Sequence, residues 1–268
     1  MTDLRWEFSI IGDQWALTEF AFATQSREDW QIVNDEGWVL RLPLKKTDVV
    51  FRVDDMSTNP VEFYQRIEPV QEEKLKLAEE ILGRISAAIQ LLTPSAGKLK
   101  LSYTHYCEGR RKVGFLKINE IVEVSDRLSY TSTNQNTGES ERHPANLFRE
   151  ILDYSDKFTE VEDALKLFHQ YGTRDWVSLY KVYEHIRALC GSEEKLRKKL
   201  QLSKADISSF TGSANNPAIS GDLSRHAVQI GEPPKKTMTL QQGREFIRTL
   251  MLRFLSHVVA AGPTNSQN

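Results

Sequence analysis

At the start of the chain every second residue is apolar: Leu4, Trp6, Phe8 and Ile10 alternate with Arg5, Glu7 and Ser9. That is the period of a strand with one face on a core and one in water. Gly12-Asp13 marks a turn after it. Asn34-Asp35-Glu36-Gly37 is a second turn, beyond which Trp38, Leu40 and Leu42 alternate with Val39 and Arg41. Val49, Phe51 and Val53 make a further alternating set. About five short antiparallel strands are expected before residue 55.

The period then changes. Leu75, Ala78, Ile81, Leu82, Ile85, Ala88, Ile89 and Leu92 fall at helical spacing, which predicts a long helix over 72–92, ended by Pro94 and Gly97. Strand spacing returns at Leu99, Leu101 and Tyr103, and Glu108-Gly109 turns the chain into a second run through Val113, Phe115, Ile118 and Ile121. This is a β-hairpin with a basic tip, Arg110-Arg111-Lys112. Residues 129–144 are polar and have no apolar period, as in a linker. Beyond them Val161, Ala164, Leu165 and Phe168 share one helical face, and Trp176, Leu179, Tyr180, Tyr183 and Ile186 share another. Gly191 is placed to stop the second of these helices. Thr239 and Gln242 have capping-box spacing ahead of a last helix through Phe246, Ile247, Leu250 and Phe254.

These patterns predict an α+β chain. A β-rich N-terminal domain (1–128) packs on the helix 72–92, a polar linker spans 129–144, a helical bundle fills 145–261, and a polar tail runs over 262–268. Composition agrees with a folded chain: of 268 residues, 40% are hydrophobic and 27% charged. Lys plus Arg number 35 against 37 for Asp plus Glu. No global field therefore draws the chain to nucleic acid or to an anionic membrane, and such binding needs a local patch. Cys107 and Cys190 are the only cysteines, too few for a disulfide framework. The N-terminus has no signal-peptide pattern and the apolar helix near the C-terminus carries Arg248, Arg253 and His257, so a cytoplasmic protein without a membrane span is expected.

Two places carry candidate chemistry. Between the last two helices lies a long segment with Asp222, Arg225 and His226 within five positions. On a helical turn Asp222 and His226 share a side, where a carboxylate orients an imidazole, and Arg225 suits a phosphate or carboxylate. The second place is basic: Arg110, Arg111 and Lys112 at the hairpin tip, with Lys235 and Lys236 further on, could meet a nucleic-acid backbone, and Tyr103, Tyr106 and Phe115 could stack on bases. No set of His and Cys has zinc-site spacing, and no phosphate loop, dinucleotide fingerprint, Gly-x-Ser-x-Gly elbow or kinase set is present. No metal and no cofactor is expected.

The order Trp176 to Arg187, Phe210-Thr211-Gly212-Ser213-Ala214-Asn215, Gly221-Asp222-Leu223-Ser224-Arg225-His226-Ala227 and Pro233-Pro234 resembles a group of uncharacterised bacterial proteins with a helical C-terminal half. The likeness covers roughly residues 174–258 and implies bacterial origin. The helical half is also similar to the HEPN domains, many of them ribonucleases of toxin and antiphage systems, whose motif is an Arg, four to six residues, then a His. Here Arg253 and His257 have three residues between them, and Arg225 and His226 are adjacent. The resemblance therefore implies a fold without carrying over the nuclease motif.

The functional expectation is an intracellular binding or accessory protein with an RNA or protein partner, linked by analogy to phage defence or toxin regulation, and able to form a homodimer through its helical half. The alternative is a metal-independent ribonuclease with His226 as general acid/base, Arg225 on phosphate charge and Asp222 orienting His226.

Overall fold

A computed structural model describes residues 4–45, 48, 50–116, 144–171, 175–221, 224 and 236–261. The chain divides into two compact units, Met1–Glu150 and Ile151–Asn268.

In the first unit the alternation at the N-terminus forms β1 (Leu4–Ile11). It is the central strand of a five-stranded antiparallel sheet of order β2-β3-β1-β4-β5, with β2 at Gln31–Asn34, β3 at Trp38–Pro43, β4 at Lys100–Glu108 and β5 at Arg111–Leu116. Register puts Trp6 beside Leu42 and Tyr106, and Phe8 beside Leu40 and Thr104. One face of the sheet is thus apolar, with Trp6, Phe8, Leu40 and Tyr106 at or below 1% exposure. Along β4 and β5, Tyr106 opposes Val113 on this side, and Phe115 lies against Trp6 and Tyr64.

The apolar face is covered by a 33-residue helix, α3, once the shorter helices α1 (Gln14–Ala21) and α2 (Val53–Thr58) have been passed. Asn59 caps α3 through its side chain, Pro60 opens it at a position where no N–H is needed, and Leu92 ends it. Its last three turns are buried from Ile81 to Leu91 apart from Arg84. Burying so much apolar surface is what holds sheet and helix together, at roughly 1.5–3 kcal/mol for each large side chain.

The β-rich region differs from expectation in three ways. Asp13, read as a turn, is the N-cap of α1, its carboxylate accepting from Ala16 N at 2.9 Å. Among the described residues three strands, not five, precede residue 55. Phe51 and Val53 belong to no strand: Phe51 is 3% exposed in the core and Val53 opens α2. Tyr106 fixes that stretch, its hydroxyl donating to Phe51 O at 2.9 Å and accepting from Phe51 N at 3.2 Å. The first turns of α4 (Pro144–Ser155) add Phe148, whose ring lies 4.7 Å from that of Phe20 in α1.

The second unit is helical: α5 (Thr159–Tyr171), α6 (Trp176–Cys190), α7 (Glu193–Lys199), α8 (Lys204–Asn215), α9 (Pro217–Ser220) and α10 (Leu240–Ala261). Gly191 ends α6 with φ 93°, a left-handed conformation that glycine adopts without a Cβ clash. The capping box forms at α10, with Gln242 N donating to Thr239 Oγ1 at 3.2 Å and Thr239 N to Gln242 Oε1 at 2.8 Å. Phe210 of α8 is the hub of the core, its ring 4.7 Å from Phe246 and 5.6 Å from Tyr183. Among the described residues no helix is long and apolar enough to cross a membrane.

Candidate functional site

The polar positions of β1 point away from α3. Arg5 and Glu7 were expected in water, yet Glu7 is 1% exposed and Arg5 7%. Register explains how they are covered. Glu7 stands beside Arg41 of β3 on one flank and His105 of β4 on the other. Arg5 stands beside Cys107, which in turn faces Lys112 of β5. Three strands, β1, β3 and β5, therefore bring long cationic side chains to one carboxylate.

The contacts are direct. Glu7 Oε1 accepts from Arg5 Nε at 2.8 Å and from Arg41 Nη2 at 2.7 Å, and Lys112 Nζ lies 3.1 Å from Oε2. Burial alone would push this carboxyl up, but hydrogen bonds from Arg5, Arg41 and Lys112 together outweigh it and hold the pKa at about 2. The bond to Glu7 in turn raises Lys112. Asp35, in the β2–β3 turn, adds a half-exposed carboxylate 3.3 Å from Arg41 Nη2 and 3.8 Å from Lys112 Nζ. Arg5, Arg41 and Lys112 thus converge on Glu7, and Arg41 and Lys112 also share Asp35.

The surroundings shape this patch. His105 lies over Gly114, where a Cβ would sit 3.4 Å from the imidazole Cδ2. Burial first, and Lys112 second, disfavour the charged imidazole. Cys107 is wholly buried and its thiol is pushed up to about 12 by burial. Two residues from His105 on the same side of β4, Tyr103 is 51% exposed.

The basic hairpin tip is divided in use. Arg111 pairs with Asp54 and, at 3.3 Å, with Glu108, while Lys112 belongs to the Glu7 cluster. Arg110 is exposed at the turn. Of the three aromatic residues named from sequence, Tyr103 lies on the open side; Tyr106 is fully buried and Phe115 faces the core side, so neither can stack on a ligand there. Glu108 has a structural post: it accepts from Arg52 at 2.8 Å and from Val53 N at 3.0 Å, fastening the start of α2. Hydrogen bonding by Arg52 and Val53 holds its carboxyl below the usual range.

In the helical unit Lys236 is exposed. Asp222, Arg225, His226 and Lys235 lie outside the described residues, and with them the whole expected acid/base centre. Arg253 is engaged at the end of α7, donating to the carbonyls of Leu200 at 3.1 Å and Gln201 at 2.6 Å. Among the described residues no three His, Cys, Asp or Glu side chains converge as a metal-binding group. No family model, curated protein or solved structure matches this chain.

Proposed function

We propose that this chain is a binding protein that takes single-stranded RNA across the open side of its sheet. The observation that carries the reading is Tyr103: a half-exposed aromatic ring on the same side of the sheet as the cations Arg41 and Lys112. Proteins that hold single strands combine these two elements, a ring on which a base stacks and cations along the backbone. With a formal net charge of −2 over the chain, attraction to phosphate has to be local.

Binding fits this face better than catalysis. The Cys107 thiol is sealed and held protonated, and the Glu7 carboxylate is held ionised with cations on both oxygens. Neither is poised to attack or to exchange a proton near neutral pH.

Fluorescence anisotropy with a labelled RNA of about 12 nucleotides tests the reading. Tyr103→Ala is expected to weaken binding at least about fivefold, since stacking on one base is worth about 1–3 kcal/mol. Arg110→Glu, at the exposed tip, should weaken it further and flatten the salt dependence. A wild-type protein that retains no RNA at low salt, or a Tyr103→Ala protein that binds as wild type does, ends the proposal.

A further inference from the structure

We infer that Arg41 and Lys112 form a phosphate seat on the sheet, and that Asp35 occupies it in the free protein as a built-in competitor. The inference rests on the RNA-binding reading above and names the group of the ligand that this part of the face takes.

The geometry is that of two cations each shared between two carboxylates. Beneath them Glu7, 1% exposed, lies 2.7 Å from Arg41 Nη2 and 3.1 Å from Lys112 Nζ. Above them Asp35, 45% exposed, lies 3.3 Å and 3.8 Å from the same two nitrogens. The inner contacts are short and buried; the outer ones are long and wet. Glu7 therefore fixes where the cations stand, and Asp35 fills the solvent side of the gap between them. Arg41 comes from β3 and Lys112 from β5, with two strands between. Their shared outer partner is an oxyanion reached from solvent, the position a phosphodiester oxygen would take.

Asp35 is also placed to leave. It sits in the three-residue turn between β2 and β3, where Glu36 has φ 57° and Gly37 φ 139°. Its backbone is tied locally, Asp35 N donating to Gly37 O at 2.9 Å. Rotation of its side chain into water breaks two outer ion pairs and leaves the turn and the inner cluster intact. An exposed pair of this kind is weak, so a phosphate oxygen can replace the Asp35 carboxylate between the two cations.

The probe is inorganic phosphate, followed by NMR on full-length protein at neutral pH, beside the RNA titration. Asp35→Asn and Asp35→Ala are expected to bind phosphate up to about fivefold more tightly than wild type, with signals of Arg41 and His105 moving, and Asp35→Glu to restore the wild-type level. The RNA affinity of Asp35→Asn should rise by a similar factor at low salt. If both variants melt as folded proteins and bind phosphate no better than wild type, Asp35 is a turn staple and the seat is refuted. RNA binding that needs Tyr103 but ignores Asp35 retains the face and removes the seat. Phosphate binding that strengthens without Asp35, in a protein that takes no RNA, retains the seat and removes the RNA.

Discussion

Glu7 and Arg41 stand opposite each other in the β1–β3 ladder, with Glu7 Oε1 2.7 Å from Arg41 Nη2 and 3.1 Å from Nε. The carboxyl is harder to protonate in the folded chain than in the unfolded one, about 2 against 4.5. Its contribution is complete above pH 4.5 and is lost as the pH falls towards 2, and its size is about 3 kcal/mol. Urea unfolding at neutral pH and at about pH 3 should show wild type weakening in acid. Glu7→Gln should be less stable at neutral pH by about 3–5 kcal/mol, because three clustered cations lose their buried partner. It should also change less between the two pH values.

Gly243 in α10 faces the indole of Trp176. A Cβ there would lie 2.7 Å from Cζ3 and 2.9 Å from Cη2. In an exposed helix Gly→Ala stabilises by about 1 kcal/mol. Here the sign reverses: Gly243→Ala should lower stability by about 1–3 kcal/mol through overpacking, and thermal melting reads it directly. A melting point at or above that of wild type would show that Trp176 moves aside.

Glu108 joins Arg52, Arg111 and the Val53 N–H at one carboxylate. Glu108→Ala leaves that N–H without its acceptor and frees the start of α2. Amide hydrogen exchange over residues 53–58 should quicken about tenfold or more, with the sheet amides unchanged. Uniform protection across α2 in the variant would contradict this role.

Both cysteines are buried, and burial raises both thiols, Cys107 to about 12. Reactivity follows the thiolate. At about pH 8 native protein should resist a thiol-specific reagent for hours, and both cysteines should react at once in guanidinium. Fast labelling of Cys107 in native protein would mean that the Glu7 cluster opens readily.

Much of the fold could be read from periodicity. Leu75 to Leu92 announced the buried half of α3, and Thr239 with Gln242 announced the start of α10. The stretch Pro60 to Glu72 escaped because only Phe63 and Ile67 in it are buried, so it has no continuous apolar stripe; Asn59-Pro60 was the available sign. Val49 lies outside the described residues; the alternation of Phe51 and Val53 misled because one aromatic side chain, Phe51, enters the core between Tyr106 and Phe63 without any ladder. The Glu7 cluster was illegible for another reason. Arg5 and Glu7 carry the signature of a solvated strand face, and the groups that cover them come from 34 and 105 positions later in the chain. Only register, which no local pattern states, brings Arg41 and Lys112 over Glu7.

Ser213 has a further consequence. Its hydroxyl oxygen accepts from Met238 N at 2.8 Å, and its carbonyl takes Ser220 Oγ at 3.1 Å. The chain is thus clamped at one serine both where it departs after α9 and where it comes back before α10. Ser213→Ala would therefore free the return at Met238 and leave the departure at Ser220 held, since only the first of the two contacts uses the hydroxyl.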